Sequence, residues 1–117
     1  MLSLALRIAA IAKSKKAQKV VVLDMRKISA FCDYFVILSG TSLRQVNAIA
    51  QAIQEDLDKE GIKSLSKVYS NDESGWIVLD FFSVVAHIFY KPIRDFYSLE
   101  RLWSDAKKVR IPRTPKG

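Results

Sequence analysis

The run G-W-I-V-L-D-F-F-S-V-V-A-H-I-F-Y at residues 75–90 leaves this chain few folding choices. Aromatic and β-branched side chains fill it, and these suit a pleated, half-buried surface. The run predicts two strands, over 76–81 and 84–90, joined by a two-residue turn at Phe82-Ser83. That register sets Phe81 opposite Val84, Asp80 opposite Val85, Leu79 opposite Ala86, Val78 opposite His87 and Ile77 opposite Ile88. Side chains alternate between the two faces of a sheet. One face therefore carries Ile77, Leu79, Phe81, Val84, Ala86 and Ile88, all apolar, and belongs on a core. The other carries Trp76, Val78, Asp80, Val85, His87 and Phe89. Its two ionisable groups sit diagonally, about 5–8 Å apart. A face of this kind is either covered by the chain itself or kept for a partner.

A two-residue hairpin turn favours Gly or Asn at positive φ, and Phe82-Ser83 has neither. The alternatives are a longer loop or a one-residue slip, which would exchange the two faces.

The rest of the chain reads as one domain over 1–106, with a basic flexible tail over 107–117. Leu4, Ile8 and Ile11 repeat at helical spacing and predict a helix over 2–14, with Lys13, Lys15 and Lys16 near its C-terminal dipole. Residues 19–25 and 33–39 are continuous apolar runs that suit strands buried on both faces. Ser42 with Gln45 fits a capping box, and Val46, Ile49, Ile53 and Leu57 form the stripe of a second helix ending at Gly61. Residues 62–69 read as an edge strand and 70–75 as a turn cluster. Pro92 opens a last helix with Phe96, Leu99, Leu102 and Trp103 on its apolar side. The expected order is α-β-β-α-β-β-β-α, a single mixed sheet flanked by helices in an α/β (α+β) domain.

Composition removes several functions. One cysteine, Cys32, allows neither an internal disulfide nor a cysteine-based zinc site. The N-terminal apolar run has its positive charges inside and after it, unlike a signal peptide, and is too short to span a membrane. No membrane role and a cytoplasmic location are the expectations. A net charge of +7 fits an anionic neighbourhood such as RNA, or simple solubility.

Catalytic signals are weak. His87 is the sole histidine, no GxSxG elbow is present, and Cys32 reads as an inert thiol before a buried strand. Asp24, Asp33 and Asp80 lack the short spacing of a metal site. Ser39-Gly40-Thr41-Ser42 stands at a strand-to-helix junction, as in nucleotidyltransferases, but no D-x-D pair follows. The expectation is no enzyme, no metal and no cofactor, with a nucleotidyltransferase-fold enzyme or a general RNA-binding module as alternatives. His87 is either a satisfied strand histidine, bonded to Asp80 or to backbone, or a partner contact. Trp76 is the sharper signal, a core lid or an interface anchor.

The string G-W-x-V-L-D-F-x-x-V-V-x-H-I-F, then Arg94, then Y-S-L-E-R-L-W over 97–103, resembles the Iojap family of ribosomal silencing factors. D-Y-F-V-I-L-S-G-T-S followed by Arg44-Gln45-Val46, and V-V-V-L-D-M-R after the first helix, resemble it too. The family often carries Gly-Asp where this chain has Phe82-Ser83, and an acidic residue where it has Pro92. The resemblance implies a nucleotidyltransferase-like fold without transferase activity. It also implies binding to the large ribosomal subunit through ribosomal protein L14 on the inter-subunit face, which blocks small-subunit joining and represses translation.

With that implication, the expected partner-binding set is Trp76, Asp80, Phe81, Val85, His87, Phe89, Arg94 and Tyr97. Phe81 is counted with this set although the alternation puts it on the core face. The basic tail and Lys13–Lys19 are candidates for weak, sequence-independent contact with ribosomal RNA, a solvated terminus being the alternative for the tail. A second copy of the chain is the other candidate occupant of the hairpin face when the protein is free.

Overall fold

The structure is a computed structural model that describes residues 2–65, 73–97 and 106–111, with backbone only at 95–97. The elements are α1 (Leu2–Ser14), β1 (Gln18–Asp24), β2 (Tyr34–Gly40), α2 (Leu43–Asp58), β3 (Trp76–Asp80), β4 (Val84–Tyr90), α3 (Lys91–Tyr97) and β5 (Lys107–Val109). They form one five-stranded sheet in the order β3-β4-β2-β1-β5. β2 and β4 are parallel, and the other neighbours are antiparallel. This is the expected mixed sheet of an α+β domain.

The hairpin register is the one the alternation predicts, from Trp76 opposite Phe89 to Asp80 opposite Val85. Ile77, Leu79, Phe81, Val84, Ala86 and Ile88 all enter the main core beneath α1 and α2. They meet Leu4, Ile8, Val46, Ile49, Ile53 and Leu57 there. No slip occurs, because it would carry this apolar set to the opposite face. The turn adds its own fastening. Phe82 takes φ +79°, and Ser83 N–H donates to Phe81 O at 3.1 Å, which closes the rare positive-φ form of a γ-turn. The Asp80 carboxylate accepts from Phe82 N–H at 2.9 Å, and Ser83 O accepts from Asp33 and Tyr34 N–H.

β2 is buried on both faces, as its unbroken apolar run predicts, whereas β1 is fully buried only at Val22 and Leu23. Ser42 caps α2 by accepting from Gln45 N–H at 3.0 Å. The reciprocal bond falls one residue early, from Thr41 N–H to Gln45 Oε1 at 2.7 Å.

Two expectations are corrected. Residues 107–109 belong to the sheet as β5, paired with β1, and not to a free tail. Lysines suit such an edge because their charge discourages further strand addition. Residues 62–65 form no strand, so the fifth strand comes from the C-terminal side of the chain. The rest of the expected strand, residues 66–69, lies outside the described residues, as do Leu99, Leu102, Trp103 and residues 112–117.

Candidate docking site

The sheet face opposite α1 and α2 is only partly covered. Leu23, Met25, Cys32, Ile37, Phe89 and Ala106 form a second, smaller core there, with Phe35, Val85 and Ile93 packed against it. Toward the β3 edge the cover gives out. Trp76 is 40 % exposed and Val78 38 % exposed, on the outermost strand. Val85, Phe35 and Asp80 are half-buried beside them.

Local chemistry fixes the tryptophan. Gly75 sits at φ +79°, where an added Cβ would come within 2.9 Å of Ile93 Cγ1. Only glycine lets β3 start this close to α3. Ser74 Oγ accepts from Trp76 N–H and donates to Trp76 O. The indole Nε1–H then donates to His87 Nδ1 at 3.2 Å. The Trp76 ring lies 5.0 Å from Phe89, and Phe35 meets His87 edge-on at 4.6 Å. Trp76 is thus held in one pose while keeping part of its surface open, which limits the entropy lost on binding.

The expected site residues divide by role. Trp76, Asp80 and Val85 reach this surface. His87 and Phe89 are buried beneath it and brace it. Burial pushes the His87 imidazole down from 6.5 to about 4. His87 is bonded to Trp76, a partner the sequence reading did not name. Phe81 is corrected: its strand parity places it in the main core, away from this face. Arg94 is corrected as well. It is buried, and its guanidinium donates to Lys19 O and Ser39 Oγ, both at 2.8 Å, tying α3 to β1 and β2. The Tyr97 side chain lies outside the described residues.

Four further apolar residues on or beside this face are not in the expected set. Val78 and Phe35 complete the patch, and the alternation already placed Val78 on this face. Phe82, 74 % exposed, and Phe31, 91 % exposed, stand on adjoining loops at the far end of the hairpin. Two phenylalanines in turns give no periodic signal.

Elsewhere the chemistry is quiet. Burial raises the Cys32 thiol, so it is not poised as a thiolate. Arg26 grips Asp24 with two hydrogen bonds and holds its carboxyl near 2. No group of three or more metal-ligating side chains occurs among the described residues. Among them, too, no helix is long and apolar enough to cross a membrane.

The profile of the family described as "Ribosomal silencing factor during starvation" (RsfS) matches residues 1–116. The chain belongs to the ribosomal silencing factor family. It is 44 % identical over 102 residues to the ribosomal silencing factor RsfS of Bacillus subtilis, covering 86 % of each chain. It is 30 % identical over 94 residues to the mouse protein named "Mitochondrial assembly of ribosomal large subunit protein 1", covering 79 % of this chain and 41 % of the mouse one. A crystal structure of a Bacillus halodurans protein superposes with a TM-score of 0.77 at 34 % identity, covering 94 % of this chain and 96 % of the other. The RsfS family and the sheet described above therefore go together in a solved relative.

Proposed function

We propose that this RsfS-family chain is a translational repressor that works by docking and not by catalysis. In this reading the Trp76 face covers a protein on the inter-subunit side of the large ribosomal subunit, ribosomal protein L14, and so keeps the small subunit from joining. The half-exposed Trp76, held rigid over His87 and Phe89, is the observation that carries the reading. Rigid aromatics in an apolar patch are the usual energetic centre of a protein interface. Asp80 at the rim of the patch suits a basic ribosomal protein, since opposite charge steers encounter and sets register. The name of the mouse relative supports the large subunit as the particle. The family resemblance supplies L14 and the block of joining, and a bacterial cytoplasm is the setting.

The test is a pull-down with the tagged chain from lysate after RNase treatment. Retention of L14 as one discrete large-subunit protein supports the reading. Loss of every ribosomal protein on RNase treatment refutes it. A Trp76-dependent dimer of the free chain would mean that a second copy covers the same face before the ribosome does.

A further inference from the structure

One end of the sheet gathers cations that the docking face does not use. β2 and β4 both finish there, with Gly40 beside Tyr90, and β1 begins there, with Gln18 beside Ser39. This register brings together Lys15 and Lys16 after α1, Lys19 at the start of β1, Arg44 in the first turn of α2 and Lys91 at the start of α3. All five are exposed. No carboxylate precedes Asp24 in the sequence. The ion pairs among the described residues, Arg7–Glu60, Arg26–Asp24 and Lys63–Asp58, involve none of the five. Among the residues described with side chains, Glu73 before β3 is an acid near this end.

The lysine turn is built rather than loose. α1 closes in a Schellman turn, with Ala17 N–H on Ala12 O and Lys16 N–H on Lys13 O, both at 3.0 Å. The left-handed position of such a turn normally holds glycine, and here it holds Lys16 at φ +65°. Lys19 is left-handed too, at φ +49°, where the β1–β2 ladder is irregular. A side chain in that conformation is strained, and strain kept at a solvent-facing lysine points to use. Side chains grip the turn from two sides. Gln45 Nε2 donates to Lys15 O at 3.4 Å and Lys16 O at 3.3 Å, and Arg94 donates to Lys19 O at 2.8 Å. The positive end of the α2 dipole adds to the field.

We propose that Lys15, Lys16, Lys19, Arg44 and Lys91 form a rim that binds the phosphodiester backbone of RNA beside the docked ribosomal protein. The proposal rests on the large-subunit reading, in which the particle bound carries RNA. Five exposed cations spread over the α1–β1 turn, β1, α2 and α3 match an extended polyanion.

The test titrates the full chain into a labelled RNA hairpin of about 20 base pairs between 50 and 200 mM KCl, and into salt-washed large subunits. With four to five phosphates neutralised, hairpin affinity falls about 150- to 500-fold over that range. Lys16→Gly and Arg44→Gln each reduce the log–log salt slope by about one. Lys16→Gly keeps or raises the melting temperature, because glycine suits its backbone. Trp76→Ala leaves the hairpin slope unchanged. Wild-type hairpin binding by Lys16→Gly and Arg44→Gln overturns the rim, as does equal competition by vesicles of anionic lipid. If the rim variants weaken subunit binding while Trp76→Ala does not, the protein-docking reading fails and the rim stands.

Discussion

The indole Nε1–H of Trp76 donates to Nδ1 of His87 across the β3–β4 pair at 3.2 Å. An accepting Nδ1 means a neutral imidazole whose own proton is on Nε2. The tryptophan of the patch is therefore aimed by a buried base, and its pose depends on His87 staying neutral.

Acid should loosen this arrangement. Burial lowers the His87 pKa from 6.5 to about 4. Between those values the unfolded chain holds a proton at this residue and the folded chain does not. The contribution to stability is complete above about 6.5 and is lost as pH falls through about 4, a total of about 3 kcal/mol. Urea unfolding followed from pH 7 to pH 4 should show this decline, and His87→Gln should flatten it. A wild-type stability that is level across the window would contradict the buried, neutral histidine.

Arg94 should matter to the fold and little to docking. Replacing it with Leu removes the donor to Lys19 O and Ser39 Oγ inside the protein. The expected loss is about 2–4 kcal/mol in urea unfolding. Binding to large subunits, measured where the variant is still folded, should keep its docking component.

Phe82 should show the opposite trade. At φ +79° its side chain is strained, and 74 % of its surface is open. Phe82→Gly should stabilise the domain by about 0.5–1 kcal/mol in thermal unfolding. It should also weaken subunit binding if the patch extends to the hairpin end. A variant that is more stable and binds as well as wild type would confine the patch to Trp76, Val78 and their neighbours.

The parts of this molecule that the sequence made legible are those with a period. Six apolar residues on one parity of the hairpin set its register, and the register placed Trp76, Asp80 and His87 correctly relative to one another. The parts that stayed hidden have a non-local cause. Lys107-Lys108-Val109 looks like a tail until β1 supplies its partner. Arg94 looks like a surface cation until Ser39, fifty-five residues earlier, and Lys19, seventy-five residues earlier, close around it. His87 and Phe89 share the parity of the partly open face, yet Phe89 joins the second core and both are buried. Nothing in Phe82-Ser83 announces a left-handed phenylalanine, because the bonds that tolerate it run to Asp80 and to the loop before β2.

The most direct measurement is co-sedimentation with isolated large subunits, followed by addition of small subunits and a count of joined ribosomes. Wild-type chain should travel with the large subunit and lower the yield of joined particles. Trp76→Ala and Val78→Asp, each checked as folded, should bind about 5- to 150-fold more weakly and restore joining. If both folded variants sediment and block joining as wild type does, the open face of β3 is not where this protein acts.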